Sequence, residues 1–354
     1  MSGTSLDGVD AAMVAFGDSC PAGKLMDRHY IGYTDSLRLR LLALHDSGID
    51  ELHRSATLAN ELSDYYADAS NALLGRSGIR PLAIACHGQT IRHRPECGYS
   101  IQLVNPSRLA ERTGITVIAD FRNRDIAAGG QGAPLVPAFH RAAFHHPTMD
   151  RVIVNIGGIA NLTNIPAHGT VTGFDCGPGN LLLDAWCLRH TGQPYDTDGS
   201  WSASGKVIRI LLAQLLQHPY FKQMAPKSAG REQFSISWLE SQLQGKEGAE
   251  DVQATLVELT ATSIADAIKY HCHSAAEIYV CGGGSHNSRL LSAIRTHLPD
   301  KPIKLTDELG IKADWVEAHA FAWLGRQTLL NLPGNCMEAT GAKHPCILGA
   351  VYPA

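Results

Sequence analysis

Two stretches of sequence decide the fold of this chain: VNIGGIANLTNI at residues 154–165 and TGFDCGPGN at residues 172–180. The first has β-branched runs on either side of Gly157 and Gly158, which predicts a strand, a turn and a returning strand. In the second, a short strand ends on Asp175, and glycines then open an apolar helical pattern. The sequence therefore predicts a carboxylate at a strand end, next to a glycine hairpin and a helix N-terminus.

This arrangement is typical of sites that act on phosphate groups. Glycines let backbone N–H groups approach an anion closely, and the dipole of a helix favours negative charge at its N-terminus. Asp175 would bind phosphate poorly, because both are negatively charged. It is better placed to take a proton from the group that attacks or accepts the phosphoryl group. A capping aspartate at a strand end is the alternative interpretation.

Strand-like and helix-like segments alternate along the chain, which predicts an α/β fold. Helical periodicity is found at residues 37–45, 49–74, 105–112, 206–216, 251–271, 288–297 and 315–330. Strand-like runs are found at residues 11–16, 81–86, 100–104, 115–119, 278–281 and 303–305.

Both halves of the chain begin with a glycine turn, which predicts duplicated domains around a cleft. The glycine cluster at residues 129–134 is the expected junction, because glycines permit hinge motion. The predicted domains are therefore residues 1–128 and residues 129–354, with the tail at 340–354 packing on the first domain. The chain opens directly on the turn GTSLDGVD, so we expect the first strand of the N-terminal domain to be missing.

The composition limits the classes of partner. The chain has 354 residues, a net charge of −4 and no basic tract, so neither nucleic acid nor an anionic membrane is an expected partner. No apolar run approaches the roughly 18 residues that a membrane span needs. The nine cysteines include no C-x-x-C pair, which indicates reduced thiols and a cytoplasmic location. A homodimer is left open.

The motifs that remain are glycine turns. A Walker P-loop, a dinucleotide fingerprint, H-E-x-x-H and G-x-S-x-G are all missing from the sequence. Glycine turns at residues 3–8, 157–158 and 282–284 lie between regular elements. A single such turn usually only connects two elements, but three of them together with Asp175 favour phosphate binding.

Several longer segments resemble the anhydro-N-acetylmuramic acid kinase family. They are SGTSLDGVD (2–10), ACHGQT (85–90), DFRNRDIAAGGQGAPLVP (120–137), VNIGGIANLT (154–163), GFDCGPGN (173–180), CGGGSHN (281–287) and EAHAFAWL (317–324). The resemblance implies two duplicated ribonuclease-H-like domains of the actin/hexokinase/Hsp70 type flanking an ATP cleft. It also implies ATP and Mg²⁺, and a small anhydro amino sugar as substrate. The implied reaction cleaves the 1,6-anhydro bond with water and phosphorylates O6, in bacterial cell-wall recycling.

The resemblance also implies roles for individual residues. Asp175 is the expected general base, and water arriving opposite the departing oxygen predicts inversion at C1. Asp7 or Asp10 is expected to hold Mg²⁺ through water, because hard cations prefer oxygen ligands; a plain Asp-Gly turn is the alternative interpretation for Asp7. The residues expected to bind ATP are Gly3, Thr4, Ser5, Leu6, Asp7, Gly8, Val9, Asp10, Gly157, Gly158, Asn161, Gly177, Asn180, Gly282, Gly283, Gly284 and Asn287. Those expected to bind the sugar are His87, Gln89, Asp120, Arg122 and Glu317.

Other interpretations remain open at this point. Arg122 suits the lactyl carboxylate through a bidentate contact, but each sugar-binding candidate is nearly as well explained by a structural hydrogen bond. For the chain as a whole, an actin/Hsp70-like ATPase without sugar chemistry and an exopolyphosphatase-type phosphohydrolase are the alternatives. The actin/Hsp70-like alternative gains no support from the segment at 120–137.

Overall fold

The computed structural model describes residues 1–3, 6–17 and 20–354, so the predicted phosphate contacts of Thr4 and Ser5 lie outside the described residues. The strands, in chain order, are β1 (Gly8–Gly17), β2 (Cys20–Gly32), β3 (Ile84–Ala85), β4 (Gln89–Arg94), β5 (Tyr99–Leu103), β6 (Val117–Ala119), β7 (Arg151–Ile156), β8 (Ile159–Ile165), β9 (Thr172–Pro178), β10 (Glu277–Cys281), β11 (Ile303–Leu305) and β12 (Ala350–Tyr352).

Helices fall between most of these strands. They are α1 (Asp35–Leu42), α2 (Glu51–Ser77), α3 (Pro106–Thr113), α4 (Asn123–Ala127), α5 (Val136–Phe144), α6 (Asn180–Thr191), α7 (Arg209–Leu215), α8 (Ile236–Gln242), α9 (Ala249–His271), α10 (Ser288–His297), α11 (Val316–Leu329) and α12 (Met337–Thr340). The predicted α/β class is therefore confirmed. No helix in the described part of the chain combines the length and apolar character that a membrane span requires.

The described residues form two compact units. Unit 1 comprises Met1–Ala143 and Trp315–Ala354, and unit 2 comprises Phe144–Asp314. These bounds differ from the predicted domains, because residues 129–143 and 315–339 belong to unit 1. The reason is packing: the ring of Phe139 on α5 lies 5.4 Å from the ring of His319 and 6.2 Å from that of Trp323, both on α11.

Unit 2 is built on a sheet with the strand order β11-β10-β7-β8-β9. The strands β7, β8 and β9 form an antiparallel meander, whereas β10 and β11 run parallel to β7. Side chains alternate between the two faces of a strand. Val154, Phe174 and Val280 lie on the face that packs into the core, together with Leu256 and Ile264 of α9.

Unit 1 combines hairpins with a short mixed sheet. Here β1 pairs with β2, β4 pairs with β5, and β6 lies between β12 and β3. The long helix α2 buries Leu58, Leu62, Tyr66 and Ala69, one face at helical spacing, against the core of this unit. The strand β2 was not predicted, because its glycine, proline and charged residues weaken the strand pattern; pairing with β1 specifies it.

Candidate active site

A row of polar side chains crosses the sheet of unit 2. Asn155 on β7 is paired in register with Asn161 on β8, and Asn161 is paired with Asp175 on β9. Cys281 on β10 continues the row, opposite Asn155. Residues paired across strands share one face of the sheet, so the side chains of Asn155, Asn161 and Asp175 are neighbours. Val154 and Phe174, one residue away along their strands, face the hydrophobic core instead.

Asp175 is held by the segment that follows the helical turn at Tyr220. The side chain is 7% exposed, and its Oδ2 accepts a 2.8 Å hydrogen bond from the backbone N–H of Ala229. The backbone of Asp175 donates to the carbonyl oxygen of Lys227 at 3.1 Å and accepts from the hydroxyl of Tyr220 at 2.8 Å. The sequence predicted that the strand ends on Asp175, but β9 continues to Pro178, and its pairing with β8 shifts register between Ala160 and Asn161. The contacts with Ala229, Lys227 and Tyr220 fix the carboxylate beside this irregularity.

A lysine lies close to this carboxylate. Burial lowers the pKa of Lys227 from its usual value, while the nearby Cys176 and Asp175 oppose that shift. Its Nζ lies 4.5 Å from the centroid of the Tyr220 ring and donates to the Tyr220 carbonyl oxygen at 3.2 Å. Burial, followed by the charge of Asp175, raises the pKa of the Cys176 thiol. The neighbours of Asp175 thus include a cation and an un-ionised thiol.

The glycine hairpin is tied to the start of α6. The N–H groups of Gly179 and Leu181 donate to the carbonyl oxygen of Gly158 at 2.9 and 3.0 Å, and that of Asn180 donates to Gly157 at 2.8 Å. These three N–H groups are therefore already bonded within the chain. The sequence predicted instead a helix N-terminus whose N–H groups are free to bind an anion. The side chain of Asn180 also points back, with its Nδ2 3.3 Å from the carbonyl oxygen of Ile156. Gly177 follows Asp175 on β9.

The second glycine run of unit 2 packs tightly against β7. A Cβ on Gly282 would lie 2.4 Å from Oδ1 of Asn155, and one on Gly284 would lie 2.3 Å from Cγ2 of Ile156. Of these three glycines, only Gly283 has room for a side chain: a Cβ there would lie 3.6 Å from Nδ2 of Asn180, an ordinary van der Waals contact. Close packing against β7 is therefore sufficient to explain why residues 282 and 284 are glycines.

Asn287 begins α10 as its N-cap. Its Oδ1 accepts from the backbone N–H of Leu290 at 2.9 Å. An N-cap bond of this kind satisfies one of the free donors of a helix. The predicted adenosine contacts of Gly283 and Asn287 stay predictions, as do those of Gly282 and Gly284.

In unit 1, His87 and Gln89 hold the N-terminal residues. Nδ1 of His87 lies 3.3 Å from the carbonyl oxygen of Ser2, and Nε2 of Gln89 donates to that of Gly3 at 3.0 Å. The hydroxyl of Ser2 donates to Oε1 of Gln89 and accepts from the hydroxyl of Tyr33 at 2.8 Å. Both predicted sugar ligands are thus buried and bonded within the chain.

Arg122 approaches His87 from the other side. Its Nη2 and Nε lie 2.9 and 3.1 Å from Nε2 of His87, and its Nη1 donates to the carbonyl oxygen of Gly132 at 2.7 Å. Burial and then the charge of Arg122 hold the pKa of His87 well below its usual value. A neutral His87 that accepts from Arg122 at Nε2 carries its proton on Nδ1, where it donates to Ser2.

The remaining predicted residues of unit 1 are more dispersed. Leu6 and Val9 are buried in the hydrophobic core, so any contact with ATP would come from their backbones. Asp7 is exposed in the turn, and Gly8 and Asp10 lie on β1. Asp120 is exposed, has φ +59° and accepts from Nδ2 of Asn123 at 2.7 Å. Glu317 lies in the first turn of α11.

One buried carboxylate that was not among the predicted site residues, Asp125, organises the loop after α4. Oδ2 of Asp125 accepts from the N–H of Gly132 at 2.8 Å, and its Oδ1 accepts from Asn335 at 2.9 Å and Thr340 at 2.8 Å. Lys227 and Ala229 were missed in the same way. Asp125 lies in the segment at 120–137 that resembles the kinase family, whereas Lys227 and Ala229 carry no local signal because their contact with Asp175 is long-range.

The fold and this arrangement define the class first: an α/β protein with a glycine hairpin next to a carboxylate on the neighbouring strand β9, as in enzymes that transfer phosphoryl groups. A model of the family "Anhydro-N-acetylmuramic acid kinase" matches residues 1–354. The chain therefore belongs to the anhydro-N-acetylmuramic acid kinase family.

Relatives with this name are similar over the whole chain. That of Nitrosomonas europaea is 56% identical, with 100% of this chain and 98% of the relative covered. That of Thiobacillus denitrificans is 53% identical, covering 100% and 96%. Among solved structures, a ROK family glucokinase from Streptomyces griseus in complex with glucose and AMPPNP matches with a TM-score of 0.40 at 11% identity, covering 89% of this chain and 98% of that one.

Proposed function

We propose that this chain is an ATP-dependent kinase acting on 1,6-anhydro-N-acetylmuramic acid. It opens the 1,6-anhydro bond with water and phosphorylates O6, which gives N-acetylmuramic acid 6-phosphate in peptidoglycan recycling. Membership of the family over the full length supports the reaction. The observation that carries the mechanism is the position of Asp175, held at the edge of the glycine hairpin by Ala229 and paired in register with Asn161.

Asp175 is the general base of this reaction. Its carboxylate takes a proton from the attacking water, whose oxygen forms a bond to C1 while the bond from C1 to O6 breaks. O6 receives the γ-phosphoryl group of ATP, and ADP leaves. Because the water arrives opposite the departing oxygen, the configuration at C1 is inverted. The backbone contacts with Lys227 and Ala229 keep the carboxylate in place, and such orientation contributes strongly to rate.

The glycine turns and the polar residues of unit 1 bind the substrates. Gly157 and Gly158 approach the phosphates of ATP, and Gly283 and Asn287 lie against the adenosine. Arg122 binds the lactyl carboxylate of the sugar, because a guanidinium matches a carboxylate in two parallel hydrogen bonds. Its bonds to His87 and Gly132 orient it for this contact.

Asp7 and Asp10 fit a magnesium ion by their chemistry. Both offer carboxylate oxygens, and Mg²⁺ usually keeps several waters while it binds one or two carboxylates and the phosphates. The ion would neutralise charge on the phosphates of ATP. We place the protein in the cytoplasm, where ATP is available.

Incubation with ATP, Mg²⁺ and 1,6-anhydro-N-acetylmuramic acid tests the proposal directly. We expect equal amounts of ADP and a 6-phosphosugar. ADP formed at a rate that the sugar does not change would instead support an actin/Hsp70-like ATPase. Free phosphate without a sugar product would support a phosphohydrolase.

The variant Asp175→Asn tests the base. We expect kcat to fall at least about 100-fold, because asparagine cannot take the proton. Its side-chain oxygen can still accept from Ala229, so the melting temperature should change little. Asp266→Asn, at an exposed position on α9, is the control for loss of one negative charge. An Asp175→Asn enzyme with a near-parental rate would refute the assignment.

A further inference from the structure

An amide oxygen beside Asp175 has no donor within the described chain. Oδ1 of Asn161 is buried and makes no hydrogen bond to any residue that the structure describes. Burying an unpaired amide oxygen is unfavourable, and buried polar groups in folded proteins are almost always bonded. A water bound at this position would satisfy the oxygen.

The register of the sheet decides where such a water would lie. Asn161 on β8 is paired with Asp175 on β9, so their side chains project from the same face. Cβ atoms of residues paired in this way lie about 4.5–5.5 Å apart. One water can therefore contact both the amide oxygen of Asn161 and the carboxylate of Asp175.

We propose that Asn161 is a second catalytic residue, which accepts one hydrogen of the attacking water while Asp175 accepts the other. This inference rests on the function proposed above. A water that donates both hydrogens presents only its lone pairs to the sugar, so the oxygen is directed at C1. In the reaction the O–H bond to Asp175 breaks and its proton moves to the carboxylate, and the O–H bond facing Asn161 stays intact. The oxygen forms its new bond to C1 as the bond from C1 to O6 breaks.

This role differs from the phosphate contact that the family resemblance implies for Asn161. A phosphate needs a hydrogen-bond donor, whereas the buried atom of Asn161 is an acceptor. The two roles predict opposite effects when the amide is replaced by a carboxylate.

Two variants separate them. Asn161→Leu removes the acceptor at nearly constant size, and Asn161→Asp keeps an acceptor but adds negative charge. If Asn161 orients the water, Asn161→Leu lowers kcat about 100-fold with KM for ATP nearly unchanged. Asn161→Asp then recovers roughly tenfold of that loss. If Asn161 instead donates to phosphate, Asn161→Asp is the worse variant and raises KM for ATP strongly, which would overturn the proposal.

Asn164 offers a matched control on the same strand. Its Oδ1 is also buried without a hydrogen bond among the described residues. Its register partners are Val152 and Thr172, however, and its odd spacing from Asn161 places it on the other face of the sheet. Asn164→Leu should leave kcat within about twofold of the parent, and an equal loss in both leucine variants would contradict a specific role for Asn161. Absence of 6-phosphosugar with the parent enzyme would refute the proposed function itself, independently of either variant.

Discussion

Gly179 lies so close to the hairpin turn that a Cβ on it would be 2.3 Å from the carbonyl oxygen of Gly157. At Gly157 itself a Cβ would meet only ordinary contact, 3.6 Å from the carbonyl oxygen of Ile159. Gly157 and Gly179 are therefore glycines for different physical reasons. Gly179 is required by packing, whereas the small size of Gly157 leaves room at the proposed phosphate site.

We therefore expect opposite effects when each is replaced by alanine. Gly179→Ala should destabilise unit 2 by about 2 kcal/mol, as overpacking does, because the backbone of the hairpin cannot move away. Gly157→Ala should change the free energy of unfolding by less than about 1 kcal/mol but raise KM for ATP. Urea unfolding and steady-state kinetics on both variants measure this. Equal destabilisation by the two substitutions would contradict it.

At the scale of elements, the segment after α4 depends on one buried carboxylate. Asp125 is completely buried and accepts hydrogen bonds from Gly132, Asn335 and Thr340. It therefore joins the glycine cluster at residues 129–134 to the segment around α12. Gly132 in turn accepts from Arg122. The loop therefore helps to orient the arginine that we assign to the sugar carboxylate.

Asp125→Asn should loosen this loop. The new amide N–H₂ would face a donor, either Gly132 or the pair Asn335 and Thr340, and an unsatisfied buried group costs about 1–3 kcal/mol. We expect faster hydrogen exchange at residues 129–132 and 335–343, together with a higher KM for the sugar.

Position 340 provides the control for this prediction. Thr340→Val removes one donor and should have a smaller effect, and Thr340→Ser should have almost none. Unchanged exchange in the loop of Asp125→Asn would refute the role of Asp125.

At the scale of the whole molecule, buried histidines are concentrated in unit 1. Burial lowers the pKa of His93 to about 4 and that of His140 to about 3, and it lowers the pKa values of His87 and His319 as well. In unfolded chains these side chains titrate near pH 6.5. Below that pH the unfolded state binds more protons than the folded state does.

Acid should therefore destabilise unit 1 first. The stability contributed by the neutral histidines is fully present above about pH 6.5 and is lost as the pH falls towards 4. Hydrogen exchange at pH 7 and pH 5 should show the increase mainly in unit 1.

Two histidine variants test the cause. His140→Gln should reduce the pH dependence of the unfolding free energy, and His145→Gln, at an exposed site, should leave it unchanged. Equal acceleration of exchange in both units at pH 5 would contradict the assignment.

The sequence by itself determined the α/β class, the hairpin at Gly157 and Gly158, the helix at residues 288–297 and the family, because these depend on local periodicity, turn residues and motif order. Tertiary structure decided the rest. A simple two-residue turn would pair Asn155 with Ala160, but the observed register pairs Asn155 with Asn161 and brings the latter beside Asp175. The contacts of Asp175 with Ala229 and of Asp125 with Thr340 join residues far apart in the chain. Local sequence cannot specify such pairs, because strand register and long-range packing are set by the whole buried core.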